Sequence, residues 1–199
     1  AEDTGVIHAL GECALRQACE QGKRWHDAGH TDLTIAVNLS VRQLADPKIG
    51  ARVARALEDT GFPGPALELE ITENLLVQPT DDVLRVLRGF NDLGIRLTVD
   101  DFGMGYSSLS YLQRLPIQAL KIDRAFVNRI GLAFHDDAIV NAIIALAHNL
   151  HLRVLAEGVE TTAQIEFLRG RGCRAAQGYY YSRPLDPARL TQIIGRPLP

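Results

Sequence analysis

The stretch LTVDDFGMGYSSL, Leu97–Leu109, runs from an apolar β-branched segment directly into two adjacent carboxylates, Asp100 and Asp101, and then into a glycine-rich turn. Like charges this close repel unless both are solvated or something cationic sits against them; a metal ion, a lysine and bulk water all meet that condition. The pair falls where a strand stops, and similar endings recur along the chain. LTIAVN (Leu33–Asn38) ends on Asn38, ALELEIT (Ala66–Thr72) carries Glu70, and ALKID (Ala119–Asp123) carries Lys121. RVLAE (Arg153–Glu157) ends on Glu157, and AAQGYYY (Ala175–Tyr181) carries Gln177.

Helical patterns separate these runs. Ile7, Leu10, Ala14, Ala18 and Trp25 recur at helical spacing and predict a first helix ending near Gly29. Val83, Val86, Leu87 and Phe90 form one apolar face of a later helix, and Ile139, Val140, Ile143 and Ile144 the inward face of another. Six βα units with buried strands imply a parallel sheet, either doubly wound or closed into a barrel. An open sheet gathers chemistry at one switch point, whereas a barrel brings all strand ends to one mouth. Polar groups at all six strand ends therefore favour the barrel, as one α/β domain over residues 1–199. A barrel of this class usually needs about 250 residues, and the chain opens in the middle of a helix with no strand before it.

Composition narrows the partners. A net charge of −3 argues against capture of a nucleic-acid polymer, which needs a basic face, but leaves room for a small cationic pocket. Cys13, Cys19 and Cys173 are an odd count at spacings unlike a zinc site, so they read as reduced core thiols in a reducing compartment. No signal peptide, lipidation motif or long apolar run is visible, which predicts a soluble, cytoplasmic domain. His26, His30, His135, His148 and His151 show no ligand arrangement and read as surface or boundary residues.

In order and spacing, VNLSVRQL, LELEITEN, DDFGMGYSSLSYLQRLPIQALKIDRAFV, AIVNAIIALAHNLHLRVLAEGVET and GCRAAQGYYYSRPL resemble successive signatures of the EAL family of bacterial cyclic di-GMP phosphodiesterases. The resemblance implies a TIM-like (β/α)8 barrel that uses Mg²⁺ or Mn²⁺ in a two-metal site to hydrolyse cyclic di-GMP to linear pGpG. The 199 residues contain no Glu-Ala-Leu tripeptide, which in the family lies on an early strand. The expectation is a chain that starts after that strand, with about six of the eight units present, as part of a longer multidomain protein. Expected partners are cyclic di-GMP, a second copy in a homodimer, and a regulatory sensor or GGDEF-type domain in the same polypeptide. A catalytically degenerate barrel that binds cyclic di-GMP or a protein without hydrolysing it is the alternative.

The chemistry fits the residue types. Hydrolysing a phosphodiester needs neutralised phosphate oxygens and an activated water, and hard divalent ions supply both through oxygen ligands. The resemblance makes Asn38, Glu70, Asp100 and Asp101 those ligands, with Asp100 bridging. It gives Lys121 the water or phosphate, Glu157 a metal-proximal place, and Gln177 the positioning of water. Lys121, between apolar neighbours, needs a paired charge, for which Asp123 is the structural alternative. Glu73 is expected to anchor the loop after Asp101, Glu160 to support the site, and Asp123 to hold Lys121 or the strand end. Met104 stands where the family usually has threonine, which removes a hydroxyl from the loop. Gly103 and Gly105 let that loop pass close to the site, and Ser107 and Ser108 are placed to cap the next helix. In Tyr179–Tyr181, stacking on a guanine competes with edge packing of the last strand.

Overall fold

Apolar β-branched runs alternate with amphipathic segments, and each kind takes the backbone its period allows. The protein is described by a computed structural model over residues 6–76, 80–105, 109–132 and 134–196. Its strands are β1 (Ile35–Asn38), β2 (Leu67–Thr72), β3 (Arg96–Phe102), β4 (Ala119–Ile122), β5 (Arg153–Ala156) and β6 (Ala175–Ala176). The helices are α1 (Val6–Asp27), α2 (Val41–Leu44), α3 (Ile49–Thr60), α4 (Asp81–Asp92), α5 (Leu109–Leu112), α6 (Arg124–Val127), α7 (Phe134–Asn149), α8 (Thr162–Gly170) and α9 (Pro187–Ile193).

The six strands form one parallel sheet in the order β1-β2-β3-β4-β5-β6. A doubly wound sheet reverses direction at a switch point, whereas adding every strand beside its predecessor curls the sheet toward a barrel. This is the TIM-like α/β architecture. One face of the sheet is apolar: Leu67, Leu69, Ile71, Leu97, Val99, Leu120, Ile122 and Val154 are buried in the core with the helices. The other face carries the alternate residues, among them Glu68, Glu70, Thr98, Asp100 and Lys121. The inner face is therefore polar and charged, and the main core lies between sheet and helices.

Several sequence expectations are corrected. The buried stripe of α1 is Leu15, Cys19 and Trp25, while Leu10 and Ala14 are exposed; the helix is rotated so that Gly22 can approach Phe62 and Ile35. In α4 the buried residues are Leu84, Leu87 and Phe90, with Val83 and Val86 only half-buried. In α7, Val140, Ile143 and Ile144 face the core but Ile139 is 43% exposed. Cys19 and Cys173 are buried free thiols, their pKa values raised by desolvation, whereas Cys13 is exposed rather than a core thiol. No described helix is long and apolar enough to cross a membrane.

The last strand is shorter than its sequence suggests because Gly178 takes the chain across the loop that follows β5. A Cβ at Gly178 would lie 2.2 Å from the Val159 carbonyl oxygen and 2.3 Å from its nitrogen. Val159 N–H donates to the Gln177 carbonyl and Tyr180 N–H to the Val159 carbonyl, so β6 gives way to a turn locked against the β5 end. Tyr180 and Tyr181 then pack edge-to-face at 5.2 Å, and Tyr179 stays exposed. Gly178→Ala is expected to destabilise the fold by about 1–3 kcal/mol, because the clash is with backbone that cannot rotate away. A thermal melt of wild type and variant checks this; an unchanged midpoint would show that the turn yields freely.

Candidate functional site

The opening question, why two carboxylates sit side by side, has a backbone answer. In a regular strand adjacent side chains point to opposite faces, so Asp100 and Asp101 could not share a site. Between Val99 and Phe102 the pairing of β3 with β4 slips by one residue: Val99 pairs with Leu120, but Phe102 pairs with Ile122. The extra residue makes a β-bulge, and Asp101 takes it up with a left-handed φ of 54°. Aspartate tolerates that conformation better than most residues. The Asp101 N–H donates to Asp100 Oδ1 at 3.0 Å, and Phe102 returns to the core.

Lys121 lies at the centre of the site and is only 3% exposed. Its Nζ is 2.6 Å from Glu157 Oε1, 2.9 Å from Glu70 Oε1 and 3.1 Å from Asp100 Oδ1. Desolvation works against the ammonium, but hydrogen bonds to Glu157 and Glu70, with the added pull of Asp100, outweigh it and push the pKa up. The lysine is therefore protonated. Burial raises the Glu70 and Glu157 carboxyls, and Lys121 opposes the rise in both. The alternative pairing of Lys121 with Asp123 is not what forms: Asp123 caps α6, accepting from Ala125 N–H at 2.6 Å, and lies beside Asp101, whose carboxyl it helps to push up.

Asp100, Asp101 and Glu157 each offer a carboxylate oxygen within 4.8 Å of the others. The donor set is all hard oxygen, and its crowding has a measurable cost. The Asp101 carboxyl is pushed up to about 6 by desolvation, by its hydrogen bond with Asp123 and by the charges of Asp100, Asp123 and Glu157. A divalent cation there would remove that cost, so the set suits Mg²⁺ or Mn²⁺.

The remaining predicted residues surround this group. Asn38 ends β1 opposite Glu70 in the register and is exposed. Gln177 Nε2 donates to Glu157 Oε1 from beyond β6. Glu73, 4% exposed, accepts from the N–H groups of Gly103 and Gly105, both at 2.9 Å, and so ties the loop after β3 to the end of β2. Gly103 has φ 103°, and a Cβ there would press within 2.8 Å of Phe126. Met104, at the loop's tip, is 62% exposed; Ser107 and Ser108 lie outside the described residues. Glu160 is exposed and lines a cleft of about 540 Å³ beside Glu157 and Gln177. Arg124, Tyr179 and Arg183 also line that cleft, with the Arg183 guanidinium 4.5 Å from the centre of the Tyr179 ring. The two arginines were not picked out from sequence; Arg183 stands next to the flagged tyrosines, a signal that chain proximity could have supplied. His26 Nε2 contacts the Leu33 carbonyl at 2.8 Å and its ring packs on Phe62, a structural place.

Comparison with known proteins places these features in context. The model of the EAL domain family matches residues 1–184. The cyclic di-GMP phosphodiesterase NbdA of Pseudomonas aeruginosa is 45% identical over 194 residues, which are 98% of this chain and 25% of that protein. A solved structure, the PaMucR phosphodiesterase in complex with c-di-GMP, superposes with a TM-score of 0.92 at 45% identity, over 96% of this chain and 77% of that one. The manganese and cyclic di-GMP complex of Klebsiella pneumoniae BlrP1 gives 0.80 at 27% identity, over 91% and 46% of the two chains. The chain spans about a quarter of the length of the curated relatives it matches.

The Asp101 carboxyl yields a pH test that needs no substrate. Because its folded pKa is raised from 3.8, the group is neutral in both folded and unfolded states only at low pH, and stability is lost as pH rises through about 6. Asp101→Asn keeps the size and the tolerance of positive φ but cannot ionise. In chelator, the variant's melting temperature is expected to match wild type near pH 3, to draw ahead of it as pH rises from 3.8 to about 6, and to keep a constant lead above that. A constant offset from pH 3 upward would contradict the assignment.

Proposed function

The chain belongs to the EAL domain family, and on that premise we propose that it is a metal-dependent phosphodiesterase domain that hydrolyses cyclic di-GMP to linear pGpG. The observation that carries this reading is the bulge in β3, which turns Asp100 and Asp101 to one side and brings both within reach of Glu157. A strand that only had to pack would keep its alternation. Relatives and structural neighbours named for the phosphodiesterase activity, and for complexes with c-di-GMP and manganese, support it.

In this reading Asn38, Glu70, Asp100 and Asp101 hold Mg²⁺ or Mn²⁺ as a two-metal site, and the family's Glu-Ala-Leu carboxylate, which the 199 residues do not contain, completes the set. When bound, the ions neutralise the phosphate oxygens and acidify water. The chain's own residues supply orientation. Lys121 stays protonated and spaces three carboxylates, keeping a cation beside the phosphate path. Glu157 Oε1 is placed to receive a proton from water, with Gln177 Nε2 and Lys121 Nζ fixing its orientation. Glu73 anchors the loop, Asp123 holds the start of α6 beside the site, and Glu160 supports it from the cleft that Glu157 and Gln177 also line. Arg124 and Arg183 offer guanidinium groups to the phosphates, and Tyr179 an aromatic face to a base. A homodimer and an attached sensor or GGDEF-type domain belong to the same proposal.

The 199 residues alone are expected to be inactive. In the intact domain with its Glu-Ala-Leu segment, Asp100→Asn is expected to lower pGpG release with Mn²⁺ by on the order of 100-fold or more while melting stays cooperative, since no core volume changes. Near-normal turnover would remove Asp100 from the mechanism. An intact wild-type domain that binds cyclic di-GMP yet releases no pGpG would favour the non-hydrolysing alternative. In the same assay Met104→Thr, which adds a hydroxyl to the loop tied down by Glu73, should raise turnover or leave it unchanged. A marked fall would assign the methionine a function.

A further inference from the structure

Below the carboxylates, on the same inner face of the sheet, lies a second set of polar groups that the proposed chemistry does not use. Glu68, whose side chain is 12% exposed, accepts from Thr98 Oγ1 at 2.5 Å through Oε1 and from Arg153 Nη2 at 3.3 Å through Oε2. Arg96 Nε stands 4.0 Å from Oε2, and Arg96 Nη2 donates to Thr34 Oγ1 at 2.5 Å. Ala119 pairs with Thr98 on one side and Arg153 on the other, and its methyl lets the Arg153 side chain cross β4 to reach Glu68.

Each tied strand also supplies the upper tier: Glu68 precedes Glu70 on β2, Thr98 precedes Asp100 on β3, and Arg153 starts the strand that ends before Glu157. Neighbouring strands are held by backbone hydrogen bonds, but β2 and β5 are separated by two strands. Strand-to-strand rotation varies by about 10–35° per step, and three steps accumulate that freedom. The distance between Glu70 and Glu157 therefore depends on ties across the concave face.

We propose that Glu68 is a positioning residue: by joining β2 to β3 through Thr98 and to β5 through Arg153, it fixes the sheet curvature that sets the spacing of Glu70, Asp100 and Glu157. The inference rests on the metal-dependent reading for its first test and stands apart from it in the second.

Mn²⁺ titration calorimetry on the chain supplies the first test. Charge alone predicts that Arg153→Gln tightens Mn²⁺ binding, since a cation near the site is removed; loss of positioning predicts weaker binding, by roughly 10-fold. Thr98→Val removes one hydrogen bond with no change of charge and is expected to weaken binding in the same direction. Unchanged or tighter binding by Arg153→Gln overturns the proposal. In the second test, amide hydrogen exchange in chelator should quicken at Asp101 and Lys121 in both variants, and equal rates overturn the proposal without reference to metal. Should wild type bind no Mn²⁺ while exchange still responds, the positioning role stands on the exchange data, and the metal reading is decided by the same titration on the intact domain. Thr98 is fully buried, so if its variant does not fold, Arg153→Gln carries both tests, its side chain being 56% exposed.

Discussion

A single ammonium group in a nearly dry position organises this domain. Lys121 Nζ is shared by carboxylates from β2 and β3 and from the loop that follows β5, while Lys121 itself belongs to β4. Burying one unpaired charge would cost several kcal/mol, and burying three carboxylates without a cation would cost more. The arrangement is tolerable only with all four groups in place, so four consecutive segments of the sheet must close to within hydrogen-bonding distance of one point. Curvature of the sheet and charge balance of the site are one constraint. The result stays negative, with three carboxylates against one ammonium before Asp101 is added, and that residual charge is what a divalent cation would complement.

Much of this can be read in the chain before any coordinate is known. Five of the six strands fall within their apolar runs, because a parallel strand covered by helices needs β-branched residues on its covered face. The exception is β3, which does not stop at the paired aspartates but runs on through them to Phe102. The polar strand endings announce a barrel rather than an open sheet, since convergence is a topological property. The trimming of β6 to Ala175–Ala176 was less legible: AAQGYYY has the composition of a strand, but Gly178 brings the chain against the Val159 backbone. Helix faces were read one residue out of phase in α1 because Leu10 and Ala14 are apolar yet exposed, and exposure of single apolar side chains carries little penalty.

The site divides in the same way. Residue types at strand ends are visible in sequence, but which cation answers which carboxylate depends on distances across the sheet. Lys121 and Asp123 sit two apart and suggest a local pair; the fold instead sends Asp123 to the start of α6 and gives Lys121 three partners from distant segments. Glu68 shows as an alternating neighbour of Glu70 in LELEIT, yet its partners Thr98 and Arg153 lie 30 and 85 residues away. Nothing in the local pattern distinguishes such a residue from an exposed charge on a strand.

The slip in β3 has a consequence for how the strand can vary. Below it, odd-numbered residues Leu97 and Val99 enter the core; above it, even-numbered Phe102 does. The strand thus changes parity once, and the change is made at the paired aspartates. Replacing either aspartate alters chemistry but leaves the parity intact. Deleting one would restore a regular strand in which Phe102 still falls opposite Ile122, so the core would keep its residue and only the second carboxylate would be lost. The extra residue therefore serves the site and not the core, so sequences that abandon the chemistry while keeping the barrel are free to lose one residue between Val99 and Gly103.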